Sequence, residues 1–171
     1  MCIIRRIVQQ MTDKGYKVVD NYLKELDFEI LKAYIFCEEM PWYYNKKITF
    51  DDEDSKFYYY VHLLYMNNKP NSNHFHDVIK FFDFYNCLYR VKINSYPNQG
   101  QFVEHSMHYD YKFEHKGALY SLNSCDGYTK IGNDRIESVE NRMIFFDPTK
   151  LHASTNTTDD LRRVNINFNY I

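Results

Sequence analysis

Hydrophobic and polar positions divide this chain into two textures, helical intervals in the first half and two-residue alternation in the second. Tyr16 to Asp20, YKVVD, reads as a short strand, and Asp20 or Asn21 stands where a side-chain oxygen can cap a following helix. Leu23, Leu26, Ile30, Leu31 and Tyr34 then recur at helical spacing with Lys24, Glu25, Glu29 and Lys32 on the other face, predicting a helix that ends near Cys37. The rings after Pro41, Trp42 first among them, predict a loop anchored on the core, with a cleft wall as their second use. Acidic residues 51–55 read as a solvated turn, and Phe57 to Met66 as a buried strand in which His62 is a satisfied histidine. The Asn-rich stretch that follows is turn-forming; its H-x-H pair, His74 and His76, lacks a nearby third ligand. Asp77 to Asn86 carries apolar residues at helical intervals and is predicted as a second helix.

From Leu88 onward, LYRVKINSY, GALYSLNS, TKIG, RIESVE, RMIFFD and RRVNINFNYI are short strands parted by Gly117, Gly127, Gly132 and the polar ASTNTTDD. Such spacing predicts a β barrel or jelly roll with flanking helices and excludes a parallel βαβ pattern. Residues 1–171 are expected to form a single domain, in which 1–87 supply support and a lid and 88–171 the jelly-roll core.

Composition narrows the function classes. A net charge of -2 and a pI near 6.4 give no global basic field, so a nucleic-acid partner is not expected. Cys2, Cys37, Cys87 and Cys125 show no C-x-x-C spacing, which argues against a zinc ribbon and reads as free thiols in a reducing cytoplasm. No run reaches the roughly 18 apolar residues of a membrane span, and MCIIRRIVQQ lacks a full signal-peptide pattern, so a cytoplasmic protein is expected. Abundant Tyr and Phe against scarce Gly and Pro favour aromatic-rich strands over disorder.

The candidate chemistry lies in YPNQGQFVEHSMHYD. If Phe102 to Asp110 is extended, His108 and Asp110 share one face and Tyr109 takes the other. His152, just after an apolar strand-like run, supplies a third ligand of the right type. Two His and one carboxylate on one side of a divalent ion leave its opposite side open, the arrangement of non-heme Fe(II) oxygenases. By the same alternation His105 faces away from His108, leaving it a supporting or substrate-side role.

Over Tyr16 to Ile171 the chain resembles the prolyl 4-hydroxylase-like branch of the Fe(II)- and 2-oxoglutarate-dependent dioxygenases, in the small form found in phage and marine microbial genomes. The residues carrying the likeness are Pro41 to Tyr44, RVKINSYP from Arg90, EHSMHYD ending at Asp110, ALYSLN from Ala118, GYT from Gly127, NRMIFFDPTKLH from Asn141 and the closing RRVNINFNY. The resemblance implies a double-stranded β-helix holding Fe(II) on His108, Asp110 and His152, with 2-oxoglutarate and dioxygen as co-substrates and ascorbate as an optional addition. It implies Arg163 on the distal carboxylate of 2-oxoglutarate, an assignment that strand alternation shares: Arg163, Asn165 and Asn167 take the polar face while Val164, Ile166 and Phe168 pack outward. Tyr96 matches a tyrosine that contacts the same carboxylate, and Ser121 stands where many relatives carry tyrosine, with Tyr120 facing the other way. Asp126-Gly127 replaces a common Gly-Gly, the remaining Gly serving the turn. The implied reaction couples oxidative decarboxylation of 2-oxoglutarate to hydroxylation of a peptide, protein or small-molecule substrate, a prolyl residue being the family default. A cupin-like metal protein, or a phage interaction protein without turnover, are the alternatives.

Overall fold

The computed structural model describes residues 14–46 and 56–171. Its framework is an antiparallel sheet of strands β1 (Tyr16–Val19), β9 (Arg142–Phe146), β6 (Lys116–Ser121), β11 (Arg162–Tyr170), β5 (Leu88–Pro97), β3 (Tyr59–Met66) and β2 (Tyr43–Asn45), in that order, with β4 (Lys69–Pro70) paired to β3. Facing it is a smaller sheet of β10 (His152–Ser154), β7 (Cys125–Ile131) and β8 (Asp134–Ser138). Two antiparallel sheets folded over one another form the expected jelly roll. The acidic run at 51–55 and Cys2 lie outside the described residues.

The central strand β11 shows why the sheet holds. Val164, Ile166 and Phe168 are fully buried on its outer face, against Phe28, Leu31 and Ile35 of helix α1 (Glu25–Phe36). Each such side chain contributes about 1.5–3 kcal/mol by leaving water. The alternate residues Arg163, Asn165, Asn167 and Asn169 are buried too, but point between the sheets. A strand with one apolar and one polar buried face has a single tolerable register, because a one-residue slip would put Arg163 into the aromatic layer under α1. That layer includes Tyr22, Phe82, Phe84 and Tyr120, packed edge to face except that Tyr22 stacks on Phe82.

Three sequence expectations change. Helix α1 starts later than predicted and has no capping side chain of its own; Asn21 instead adopts a left-handed conformation (φ 50°). The chain ahead of the helix is tied from afar by Asn141, whose Oδ1 accepts from Leu23 N at 2.9 Å and whose main-chain O accepts from Tyr22 N at 2.9 Å. Its buried stripe is also rotated: Leu26 and Ile30 are 72% and 49% exposed, whereas Phe28 and Ile35 are buried. The second helix, α2, covers only Phe75–Ile79. Beyond it Phe82 and Phe84 are both buried two residues apart, a spacing no helix can place on one face, so this run crosses the core as irregular chain.

Trp42 packs on the main core cluster as expected for the segment after Pro41, but Tyr43 and Tyr44 lie in strand β2 and not a loop, and are 60% and 61% exposed. His62 is a satisfied core histidine, 2.7 Å from Pro41 O and 2.7 Å from Ser72 Oγ. His74 is occupied by Tyr34 Oη at 2.7 Å.

Candidate metal centre

Paired strands β5 and β11 set a ladder of polar side chains on the inner wall of the jelly roll. Successive cross-strand pairs are Tyr96 with Arg163, Asn94 with Asn165, Lys92 with Asn167 and Arg90 with Asn169. The second pair is joined side chain to side chain, Asn94 Nδ2 donating to Asn165 Oδ1 at 2.9 Å. Of this ladder Lys92, Asn94, Tyr96, Asn165 and Asn167 line a cavity, which His108, Asp110, Thr129, Phe146 and His152 complete.

His108, Asp110 and His152 come together as the sequence predicts, their ligand atoms all within 4.8 Å of one another. The local reason differs. Residues 102–110 form no regular strand; isolated bridges join Glu104 to Thr155 and His108 to His152, and His105 N donates to Ser154 O at 2.9 Å. At the second bridge the two histidines exchange main-chain hydrogen bonds of 2.9 and 2.8 Å, which sets their rings side by side, 4.5 Å between centroids. Asp110 N then donates to Pro148 O at 3.0 Å, turning its carboxylate toward both rings.

The protonation of this cluster suits a cation. His108 Nδ1 lies 3.2 Å from Ser106 O and His152 Nδ1 2.9 Å from Lys150 O, so each ring donates from Nδ1 and keeps the Nε2 lone pair free for a metal. Burial, with His152 beside it, lowers the His108 pKa to about 4; burial lowers that of His152 as well. Both rings are therefore neutral at neutral pH. Burial opposes ionisation of Asp110, but the cations Arg90 and Lys92 outweigh it and hold the carboxyl well below its usual range. One Asp110 oxygen pairs with Arg90 Nη2 at 3.0 Å and the other accepts from Asn169 Nδ2 at 2.8 Å. A carboxylate has about four lone-pair directions, so a ligand position remains.

Arg163 is fully buried at the other end of the ladder. Its guanidinium donates to Thr155 O at 3.0 Å and Thr129 Oγ1 at 2.8 Å and lies over the Tyr96 ring. It pairs with no carboxylate, and its Nε has no partner among the described residues. A buried cation without a counter-ion is costly, and the cost is relieved by an anion entering the cavity. Arg162, by contrast, sits outside over Phe36 and Trp42.

Tyr96 is buried in a stack of three rings, between Tyr59 at 5.3 Å and His105 at 5.7 Å. His105 thus turns inward onto Tyr96, because the irregular 102–110 backbone breaks the alternation that would have turned it away. Ser121 is fully buried on the cavity side of β6 but one step beyond the lining, which Leu119 supplies; Tyr120 faces the outer core as expected. Gly127 serves packing inside β7 and not a turn: a Cβ there would lie 2.5 Å from Asn156 O and 2.7 Å from Arg163 Cδ.

Arg90, Lys92, Asn94 and Asn169 are the site residues the sequence reading did not assign. The signal was present, since the alternation that places Tyr96 inward places Arg90, Lys92 and Asn94 on the same face. A second cluster, Cys125, Asp126 and Asp159, has exposed carboxylates already accepting bonds from Thr157 and Thr158.

No family model and no curated protein matches the chain. Solved structures do match in fold. A viral collagen prolyl hydroxylase from Paramecium Bursaria Chlorella virus-1, in its 2OG complex, is 17% identical with a TM-score of 0.58, over 93% of this chain and 98% of that one. A prolyl hydroxylase from Trichoplax adhaerens, bound to a hypoxia inducible factor peptide fragment, is 11% identical with a TM-score of 0.67, over 98% and 90%. The alpha ketoglutarate dependent epimerase SnoN from nogalamycin biosynthesis is 10% identical with a TM-score of 0.69, over 98% and 80%. The chain therefore shares the fold of these solved structures.

Proposed function

We propose that this protein is an Fe(II)- and 2-oxoglutarate-dependent dioxygenase, with His108, Asp110 and His152 holding the metal and Arg163 with Tyr96 holding the far carboxylate of 2-oxoglutarate. The observation that carries the reading is the pairing of a neutral-His, ionised-Asp cluster in the cavity with a fully buried arginine that sits behind Tyr96 and Thr129 of the cavity lining and has no counter-ion among the described residues. Iron with 2-oxoglutarate and dioxygen would supply the oxidising chemistry. The chain's own residues supply position: Arg163 presents a two-pronged donor for a carboxylate, which fixes the direction of an elongated acid in the cavity. Thr129 and Thr155 hold that guanidinium, and Gly127 leaves room for its stem. Leu119 and Phe146 give the cavity an apolar wall that excludes water from the reacting end.

The substrate is assigned as a peptide side chain, prolyl first, on the likeness to two prolyl hydroxylases whose fold this chain shares over nearly its whole length. The same fold in an epimerase makes the reaction a matter for direct test. Anaerobic titration of Fe(II) and then 2-oxoglutarate should give a visible charge-transfer absorption. Admitting oxygen with a proline-containing peptide library should release succinate and add one oxygen atom to a peptide. Iron binding without succinate release would favour the cupin-like alternative.

A further inference from the structure

Beyond helping Arg90 to keep Asp110 ionised, Lys92 has no task in this reading. It lines the same cavity as the three candidate ligands, and among the described residues it has no ion pair and no hydrogen bond. Its Nζ lies 5.9 Å from the Tyr59 ring, a weak contact at best. The nearest acid in the cavity, Asp110, is already held by Arg90 and Asn169. Among the described residues two cations without an ion-pair partner therefore flank the cavity, Arg163 behind Tyr96 and Thr129 at one end and Lys92 beside the metal ligands at the other. Arg163 is cross-strand partner to Tyr96, and Lys92 lies four residues from Tyr96 on the same face, so their main chains are about 13 Å apart along the strand. Arg163 reaches the lining at Tyr96 and Thr129 and Lys92 lines the metal end, so a diacid lying along the ladder would meet a cation at each end.

We propose that Lys92 is the second anchor of the co-substrate, holding the carboxylate nearest the metal ligands while Arg163 holds the far one. The proposal rests on the dioxygenase reading and adds a positioning residue to it. Lys92 would also discriminate: a monoacid satisfies Arg163 alone and leaves the second cation unpaired in a site shielded from water.

Glutarate and pentanoate test this without turnover, because they share a five-carbon chain and differ by one carboxylate. Calorimetric titration of each into the full chain should show glutarate bound at least about tenfold more tightly. Lys92→Met should bring the glutarate constant to within about threefold of the pentanoate constant, with pentanoate itself little changed, and Lys92→Arg should restore the preference. Arg163→Met should weaken both ligands. An unchanged glutarate preference in Lys92→Met overturns the assignment of Lys92 and leaves Arg163 in place. If Lys92→Met does not fold, Lys92→Gln is read by the same criterion. Loss of neither ligand in Arg163→Met overturns the co-substrate reading itself, and the Lys92 assignment with it.

Discussion

Replacing Arg163 by Met should move stability and affinity in opposite directions. The guanidinium is fully buried, and among the described residues it has two neutral oxygen acceptors, Thr155 O and Thr129 Oγ1. Removing it relieves an uncompensated charge and forfeits two hydrogen bonds, each worth about 1–2 kcal/mol net, so the melting temperature should stay level or rise. With 2-oxoglutarate present the balance reverses. Losing a charged, two-pronged contact to a buried carboxylate costs about 2–5 kcal/mol, or roughly 30-fold to several-thousand-fold in affinity. Arg162→Ala gives the opposite pattern. It removes stacking on Phe36 and Trp42, at about 0.5–2 kcal/mol of stability, while touching nothing in the cavity. Anaerobic calorimetry with Fe(II) and 2-oxoglutarate, run beside thermal melts, reads both quantities. A tenfold or greater loss of affinity in Arg162→Ala, or a loss under about threefold in Arg163→Met, would refute the inward register of β11.

Other expectations follow from the same geometry. His108→Ala should abolish stoichiometric iron binding; full occupancy by metal analysis would remove His108 from the ligand set. Burial keeps His108 unprotonated in the folded chain down to about pH 4, whereas the unfolded chain takes up that proton near 6.5. The His108 contribution to stability should therefore be flat above about pH 6.5 and decline by up to about 3 kcal/mol toward pH 4, visible as the difference between urea melts of the native chain and His108→Ala, and proton competition at His108 should weaken metal binding only near the lower value. Gly127→Ala should cost about 1–3 kcal/mol and weaken 2-oxoglutarate, since the added carbon presses on Asn156 O and the Arg163 stem; an unaltered melt and titration would contradict this. If residues 1–87 support the jelly roll as one unit, thermal unfolding gives a single transition. A separately folded 1–85 fragment, seen by dispersed amide signals, would show otherwise.

How much could be read in advance depended on how local the cause was. The alternation in RRVNINFNY set its faces correctly because burial on both sides leaves one register. The His108, Asp110 and His152 grouping was found through residue type and a family likeness, although the regular strand invoked to justify it is absent. Where alternation was the sole argument, at His105, the irregular backbone broke it. Helix α1 misled because Leu26 and Ile30 are apolar yet exposed, while the residue that ties down its leading end, Asn141, lies far off in sequence. Ser121 has the right direction but the wrong depth, which depends on where the opposing sheet closes the cavity.

The cationic interior has a consequence for the order in which the site fills. Asp110 and Arg90 cancel, leaving Arg163 and the poised Lys92, whose pKa burial and Arg90 bring down to about 7, as net positive charge around an empty cavity. A divalent ion arriving alone adds to that charge; a dianion removes it. Each should therefore raise the other's affinity, and linkage requires the two factors to be equal, with couplings of this kind typically about 1–3 kcal/mol. Such a chain would be a poor scavenger of free metal and would load iron efficiently only where the diacid is already abundant, making its activation an indirect reading of that metabolite.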